Sequence, residues 1–212
     1  MDRLFIPGFG APAGLYRPGL ADSWTALEAP TFRATRGELD TYRAWIDAEL
    51  ARREQPVWLA GHSMGGALAM LAAVARPDRV ARLTLISPAG LPLRKPMASS
   101  IADFVRQLVS GTYAPVTALA ALARIAAAPR AALKLAQAVR SLDLTPEMEG
   151  VRRSGIPVDV LACATDTLVT PWHCRRQAHL LGARYRQLPY LGGHMWMLAA
   201  PESLAAALDV TP

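Results

Sequence analysis

Lysine is nearly missing from this chain of 212 residues. Of 23 basic side chains only Lys95 and Lys134 are lysines. Cysteine is as scarce: Cys163 and Cys174 stand alone, too few for a disulfide framework at this length. Cys163 lies in an apolar run and reads as a buried thiol. Histidines number four, and the group His173-Cys174 with His179 matches no common ligand spacing, so no metal and no cofactor are expected. Aromatics make up 7% of the chain, which leaves much of the apolar content to alanine and leucine. No run reads as a membrane-spanning helix, and the segment Met1 to Gly8 is too short and too soon broken for a signal peptide. A cytoplasmic protein without stable membrane insertion is therefore expected. Acidic residues trail basic ones, 17 against 23, for a net charge of +6 and an isoelectric point near 9.9. The arginines are scattered from Arg3 to Arg186 in nothing longer than doublets. No basic stripe interleaved with aromatics exists, so a solvated arginine surface is expected and a nucleic-acid partner is not.

What is present is a hydrophobic fraction of 52%, enough for one sizeable core in a single domain. Short apolar runs alternate with amphipathic stretches. Strands are predicted at Leu4–Ile6, Val57–Ala60, Leu83–Ser87, Val158–Cys163 and Ala183–Leu188. A further strand at Ala29–Arg33 would contain Pro30 and so belong at a sheet edge. Thr35-Arg36-Gly37-Glu38 resembles a capping box ahead of a helix whose Leu39, Tyr42, Ile46 and Leu50 share one face. A closing helix is predicted from about Pro201 to Leu208. Strands spaced by helices argue for an α/β three-layer sandwich, with a mostly parallel sheet of about six strands and helices on both faces. The interval 91–150 breaks the alternation. Ile101 to Val109 is amphipathic, and Ala114 to Leu142 is rich in alanine and leucine and interrupted by Pro115 and Pro129. The expected organisation is a core of residues 1–90 and 151–212 with a helical lid of residues 91–150 above the strand ends.

One pentapeptide carries chemistry. Gly61-His62-Ser63-Met64-Gly65 follows an apolar run and opens a helix-like stretch that Pro77 ends. A Gly-x-Ser-x-Gly there reads as a nucleophile elbow, with the serine on the tip of a sharp strand-to-helix turn. Backbone N–H groups at a helix start are unpaired and favour negative charge, which suits an oxyanion. A serine hydroxyl needs a base, and the base needs an orienting carboxylate. His194, in the glycine-bearing loop Leu191-Gly192-Gly193-His194 after the last strand, is the candidate base. His62 should point away from the turn, and His173 and His179 fall in a surface helix. Asp166, just after the strand ending at Cys163, is the candidate carboxylate. Asp159 lies inside that strand and would face a helix layer.

The order Ser63, Asp166, His194, with Gly61-His62-Ser63-Met64-Gly65-Gly66, Asp-x-x-Val-x-Pro and Gly-Gly-His, resembles the α/β-hydrolase fold superfamily over nearly the whole chain. By that resemblance Ser63 is the nucleophile, His194 the base and Asp166 its orienter. The backbone N–H groups of Phe9 and Met64 would form the oxyanion hole. Pro7-Gly8 stands where the family commonly has His-Gly, and the usual first two strands are lacking. Met64, Phe9, Trp196 and the lid would line an apolar acyl pocket. The expected function is hydrolysis of a small-molecule ester or thioester of an apolar acyl group through an acyl-enzyme. The same scaffold also serves C–C hydrolases, lyases, haloperoxidase-like enzymes and non-catalytic binding proteins.

Overall fold

Alternate side chains of a strand leave opposite faces of the sheet, and each inner strand here feeds two separate cores in that way. Leu4 and Ile6 of β1 (Arg3–Ile6) enter one core and Phe5 the other. Leu59 of β3 (Val57–His62) takes the first side while Trp58 and Ala60 take the second. With β2 (Trp24–Ala26), β4 (Val80–Ile86), β5 (Val158–Cys163) and β6 (Arg184–Leu188), they form one sheet in the order β2-β1-β3-β4-β5-β6. Every pair is parallel, with Ile6 opposite Gly61 and His62 opposite Ile86. The computed structural model describes residues 1–93, 95–110 and 115–209. The expected helical stretch opens at Ala114, which lies outside the described residues, as do the last three residues of the expected core.

The helices among the described residues are α1 (Phe32–Thr35), α2 (Leu39–Ala51), α3 (Met64–Ala75), α4 (Met97–Ser110), α5 (Pro115–Ala127), α6 (Pro129–Ser141), α7 (Thr145–Ser154), α8 (Pro171–Leu181), α9 (Trp196–Ala199) and α10 (Glu202–Asp209). Helices α2, α3, α7 and α8 cover one sheet face, and α9, α10 and a 3₁₀ turn at Ala13–Leu15 cover much of the other. Tyr42, Ile46 and Leu50 form the buried stripe of α2. Helix α3 is apolar all round because it is buried all round, from Met64 to Ala73. Helix α7 packs between α3 and α8 through Met148 and Val151, so the expected boundary at residue 150 falls inside a core-layer helix. Helix α6 joins the first core through Ala132, Leu135 and Val139, and α5 packs against both α4 and α6. Ion pairs from Arg124 to Glu28 and from Lys134 to Glu38 tie α5 and α6 to the core.

Three local expectations differ from the structure. The edge strand is β2, and Phe32–Thr35 is one helical turn instead of a strand around Pro30. Thr31 caps that turn by accepting from the Ala34 N–H, and Phe32 packs on Phe9 with ring centroids 4.9 Å apart. The capping box does not form: the Gly37 N–H donates to Thr35 Oγ1, and Glu38 pairs with Lys134. Asp159 faces arginines, not a helix layer. It accepts from Arg82 at 2.7 Å and Arg184 at 2.5 Å. Around it the sheet face is covered by a lattice of rings and guanidinium groups. Arg82 lies 4.6 Å and Arg3 4.8 Å from the Trp58 ring, Trp24 packs edge-on against Trp58, and Trp58 Nε1 donates to Thr84 Oγ1. Part of the arginine surplus therefore serves as cover for apolar rings.

Asp159→Ala should remove the carboxylate that both Arg82 and Arg184 share. Arg184 is half-exposed and can turn to water, so the expected loss is about 2–3 kcal/mol, below the full cost of breaking a buried pair. A chemical-denaturation midpoint checks it, with the residues around Ser63 unaffected.

Candidate active site

Strand order reverses at β1. The chain passes from β1 outward to β2, then returns across β1 to β3, which opens a crevice beyond the carboxyl ends of β1 and β3. Ser63 sits in that crevice, between the last residue of β3 and the first of α3. Its φ of 55° and ψ of −118° are unusual for a residue with a side chain. Close packing imposes them. A Cβ at Gly65 would meet the Ile6 carbonyl oxygen at 2.2 Å, and one at Gly61 would meet that of Gly65 at 2.3 Å, so only glycine lets β1, β3 and α3 converge. The Ser63 N–H donates to the Ile86 carbonyl, and its own carbonyl accepts from Gly66 and Ala89. Met64 supplies the first amide of α3, which has no acceptor within the helix.

His194 and Asp166 arrive from the loops after β6 and β5. His194 Nδ1 donates to Asp166 Oδ2 at 2.7 Å, both side chains being buried. That bond leaves the Nε2 lone pair available. Asp166 Oδ1 accepts from the N–H groups of Leu168 at 2.8 Å and Val169 at 3.0 Å. Burial opposes charge on Asp166, but the attraction and hydrogen bond of His194 and the Leu168 N–H outweigh it and hold the carboxyl below its usual range.

Ser63 and His194 share the wall of a cavity of about 280 Å³ with Gly8 and Phe9. The inserted helices close its other side with Met97, Phe104, Leu122, Ile125, Leu133 and Val139. Of the three expected pocket residues only Phe9 is on this wall. Met64 and Trp196 turn into the cores on opposite sheet faces, where the Trp196 ring stacks on Tyr190. Among the described residues no cluster of His, Cys, Asp or Glu is placed to hold a metal ion, and no helix is long and apolar enough to cross a membrane. His173 bonds Thr170 Oγ1, and His179 is exposed.

A family model described as the alpha/beta hydrolase family matches residues 4–207. The chain belongs to the alpha/beta hydrolase family. No curated protein matches it at the sequence level. Among solved structures, a lipase-esterase related protein from Clostridium acetobutylicum superposes with a TM-score of 0.77 at 13% identity, over 99% of this chain and 93% of that one. The enol-lactonase from Burkholderia xenovorans gives 0.71 at 16% identity, over 99% and 91%. The thioesterase domain from the curacin biosynthetic pathway gives 0.71 at 19% identity, over 98% and 90%. At these identities the likeness shows the fold.

Three side chains around this site, Gln107, Tyr16 and His62, have contacts that no sequence pattern revealed. Gln107 of α4 accepts from the His194 N–H at 2.6 Å and the Met195 N–H at 3.3 Å. Nearby, Thr167 Oγ1 donates to Asp103 of the same helix, so α4 grips both the Asp166 and His194 loops. His62 does not point away from the site. It is fully buried, its Nδ1 is 2.8 Å from the Tyr16 hydroxyl and its Nε2 is 3.0 Å from the His194 carbonyl. Burial first, and the neighbouring His194 second, push its pKa down from 6.5 to about 3.

In the unfolded chain His62 takes up a proton near 6.5, while in the fold it stays neutral to about 3. Stability should therefore be intact above pH 6.5 and fall as pH drops through that interval, with Asp166 adding to the loss at its acidic end. Melting temperatures between pH 7.5 and 4 check this. His62→Gln should flatten the slope.

Proposed function

We propose that this protein is a serine hydrolase that cleaves a small-molecule ester or thioester of an apolar acyl group. The observation that carries the reading is the meeting in one apolar cavity of an elbow serine and an imidazole whose far nitrogen is bonded to a buried carboxylate.

In this reading His194 Nε2 takes the Ser63 proton as the hydroxyl oxygen attacks the acyl carbonyl. Asp166 stabilises the resulting imidazolium and keeps its ring oriented. The negative charge that gathers on the carbonyl oxygen is received by the backbone N–H groups of Met64 and Phe9. His194 then returns the proton to the leaving alcohol or thiol, whose bond to the acyl carbon breaks. A water molecule, deprotonated by His194, attacks the acyl-enzyme, and the acid leaves as Ser63 recovers its proton. Helices α4 to α6 act as the lid, and their apolar side chains receive the acyl chain. A cavity of about 280 Å³ lies just below the range of roughly 300–1,000 Å³ for ligand pockets, which favours short and medium chains over long ones.

Ser63→Ala should lower kcat on p-nitrophenyl esters by about 10⁴-fold or more. Across a series of p-nitrophenyl esters of increasing chain length, kcat/KM should rise by up to about fourfold per added methylene, the worth of about 0.8 kcal/mol of burial, and then level off. Turnover that survives in Ser63→Ala would defeat the assignment of the nucleophile. A series that falls from acetate onward would defeat the acyl pocket.

A further inference from the structure

Pro7 and Gly8 bring no polar side chain to the loop that leads to Phe9, yet this loop must aim the Phe9 N–H at the reacting carbonyl. A side chain from elsewhere anchors it. The Gly8 N–H donates to the Tyr16 hydroxyl at 3.2 Å, and that hydroxyl lies 2.8 Å from His62 Nδ1. His62 Nε2 in turn lies 3.0 Å from the backbone carbonyl of His194. Hydrogen-bond chemistry gives this chain one direction. A carbonyl only accepts, so Nε2 carries the proton and donates. Nδ1 is then an acceptor, the Tyr16 hydroxyl donates to it, and the hydroxyl oxygen receives the Gly8 N–H. Tyr16 and His62 are both about 1% exposed, and both reach the wall of the cavity that holds Ser63. Burial keeps the tyrosine protonated and the imidazole neutral, so the chain carries no charge. The fit around it is close: a Cβ on Gly8 would lie 2.9 Å from His62 Nδ1 and 3.1 Å from the Tyr16 oxygen.

These bonds connect three separate segments. One end is the turn after β1 that presents Phe9. The middle is the residue immediately before Ser63. The other end is the loop that carries His194. We infer that Tyr16 and His62 are positioning residues that hold the oxyanion loop and the base loop in one geometry around Ser63, an inference that rests on the serine-hydrolase reading. Their effect passes through the Phe9 N–H and the His194 backbone, and a displacement of about 1 Å in such groups is enough to cost roughly a hundredfold in rate.

The test is the time course of Ser63 phosphonylation by a fluorophosphonate, followed by intact-protein mass, in wild type, Tyr16→Phe, His62→Gln and His62→Ala. The amplitude counts competent molecules, and the rate constant reads the chemistry of each one. The expected result for Tyr16→Phe is an amplitude near wild type with a rate constant lower by about ten- to a hundredfold. Ester kcat should fall with it while KM holds. His62→Gln keeps a side-chain N–H for the His194 carbonyl and should react faster than His62→Ala. An unchanged rate constant in Tyr16→Phe, or a loss confined to amplitude in all three variants, overturns the inference and leaves these residues as structural only. A wild-type protein that takes no label overturns the hydrolase reading and this inference with it, whereas a labelled wild type isolates the variants as the deciding comparison. Either position suffices, so misfolding of one variant does not spare the inference.

Discussion

The contact between the start of α3 and the end of β1 is the constraint from which the site follows. Gly65 lies so near the Ile6 and Pro7 carbonyls that a single added carbon would collide with both. Because β1 and α3 can approach this closely, the chain must leave β3 through a turn too tight for ordinary backbone angles, and Ser63 absorbs that at φ 55°. Strain of this kind costs about 1–3 kcal/mol and persists only where surrounding structure over-determines it. Here the surroundings are the two sheet cores and the hydrogen bonds of Ser63 to Ile86 and Ala89. In the proposed reading, the same approach would let the Phe9 and Met64 amides and the Ser63 hydroxyl share one crevice.

Electrostatics divide the molecule in two. The site is built from neutral or internally paired groups: a neutral His62, a protonated Tyr16, and an Asp166 whose charge is met by His194 and two backbone amides. In a low-dielectric cavity such an arrangement avoids the cost of an unmatched charge and strengthens each dipole directed at the reacting atoms. Much of the excess positive charge sits elsewhere, including on the sheet face around Trp58, where Arg3 and Arg82 lie over the ring and Asp159 binds two guanidinium groups. The basic composition thus belongs in part to ring packing on a sheet face, away from the crevice.

How much of this was legible in the sequence depends on how local each feature is. Ser63, Asp166 and His194 each follow a strand, and strand ends of a parallel sheet gather on one rim, so their meeting could be foreseen from order and spacing. The parallel sheet and the helical interval after β4 were legible for the same reason. The edge strand was missed because Pro30 drew attention to an apolar run that packs as a turn of helix on Phe9, while the true edge, Trp24–Ala26, is only three residues long. Trp196 and Met64 were expected on the pocket wall, yet both side chains point into the cores, because residues near one another in sequence leave the backbone in different directions. The contacts of Gln107, Tyr16 and His62 join residues 46 to 132 positions apart, and no local pattern encodes such contacts.

The central claim is that Ser63, the amides of Phe9 and Met64, and the Asp166–His194 pair form one reaction centre opening into the apolar cavity under α4 to α6. A crystal structure of the protein after reaction with an alkyl fluorophosphonate tests it most directly. The expected result is a phosphonyl group bonded to Ser63 Oγ, its oxygen within hydrogen-bond distance of the Phe9 and Met64 N–H groups, His194 Nε2 facing the Ser63 oxygen, and the alkyl chain lying against Phe104 and Ile125. A phosphonyl group on another residue, or one on Ser63 whose oxygen turns to solvent away from both amides, would contradict it.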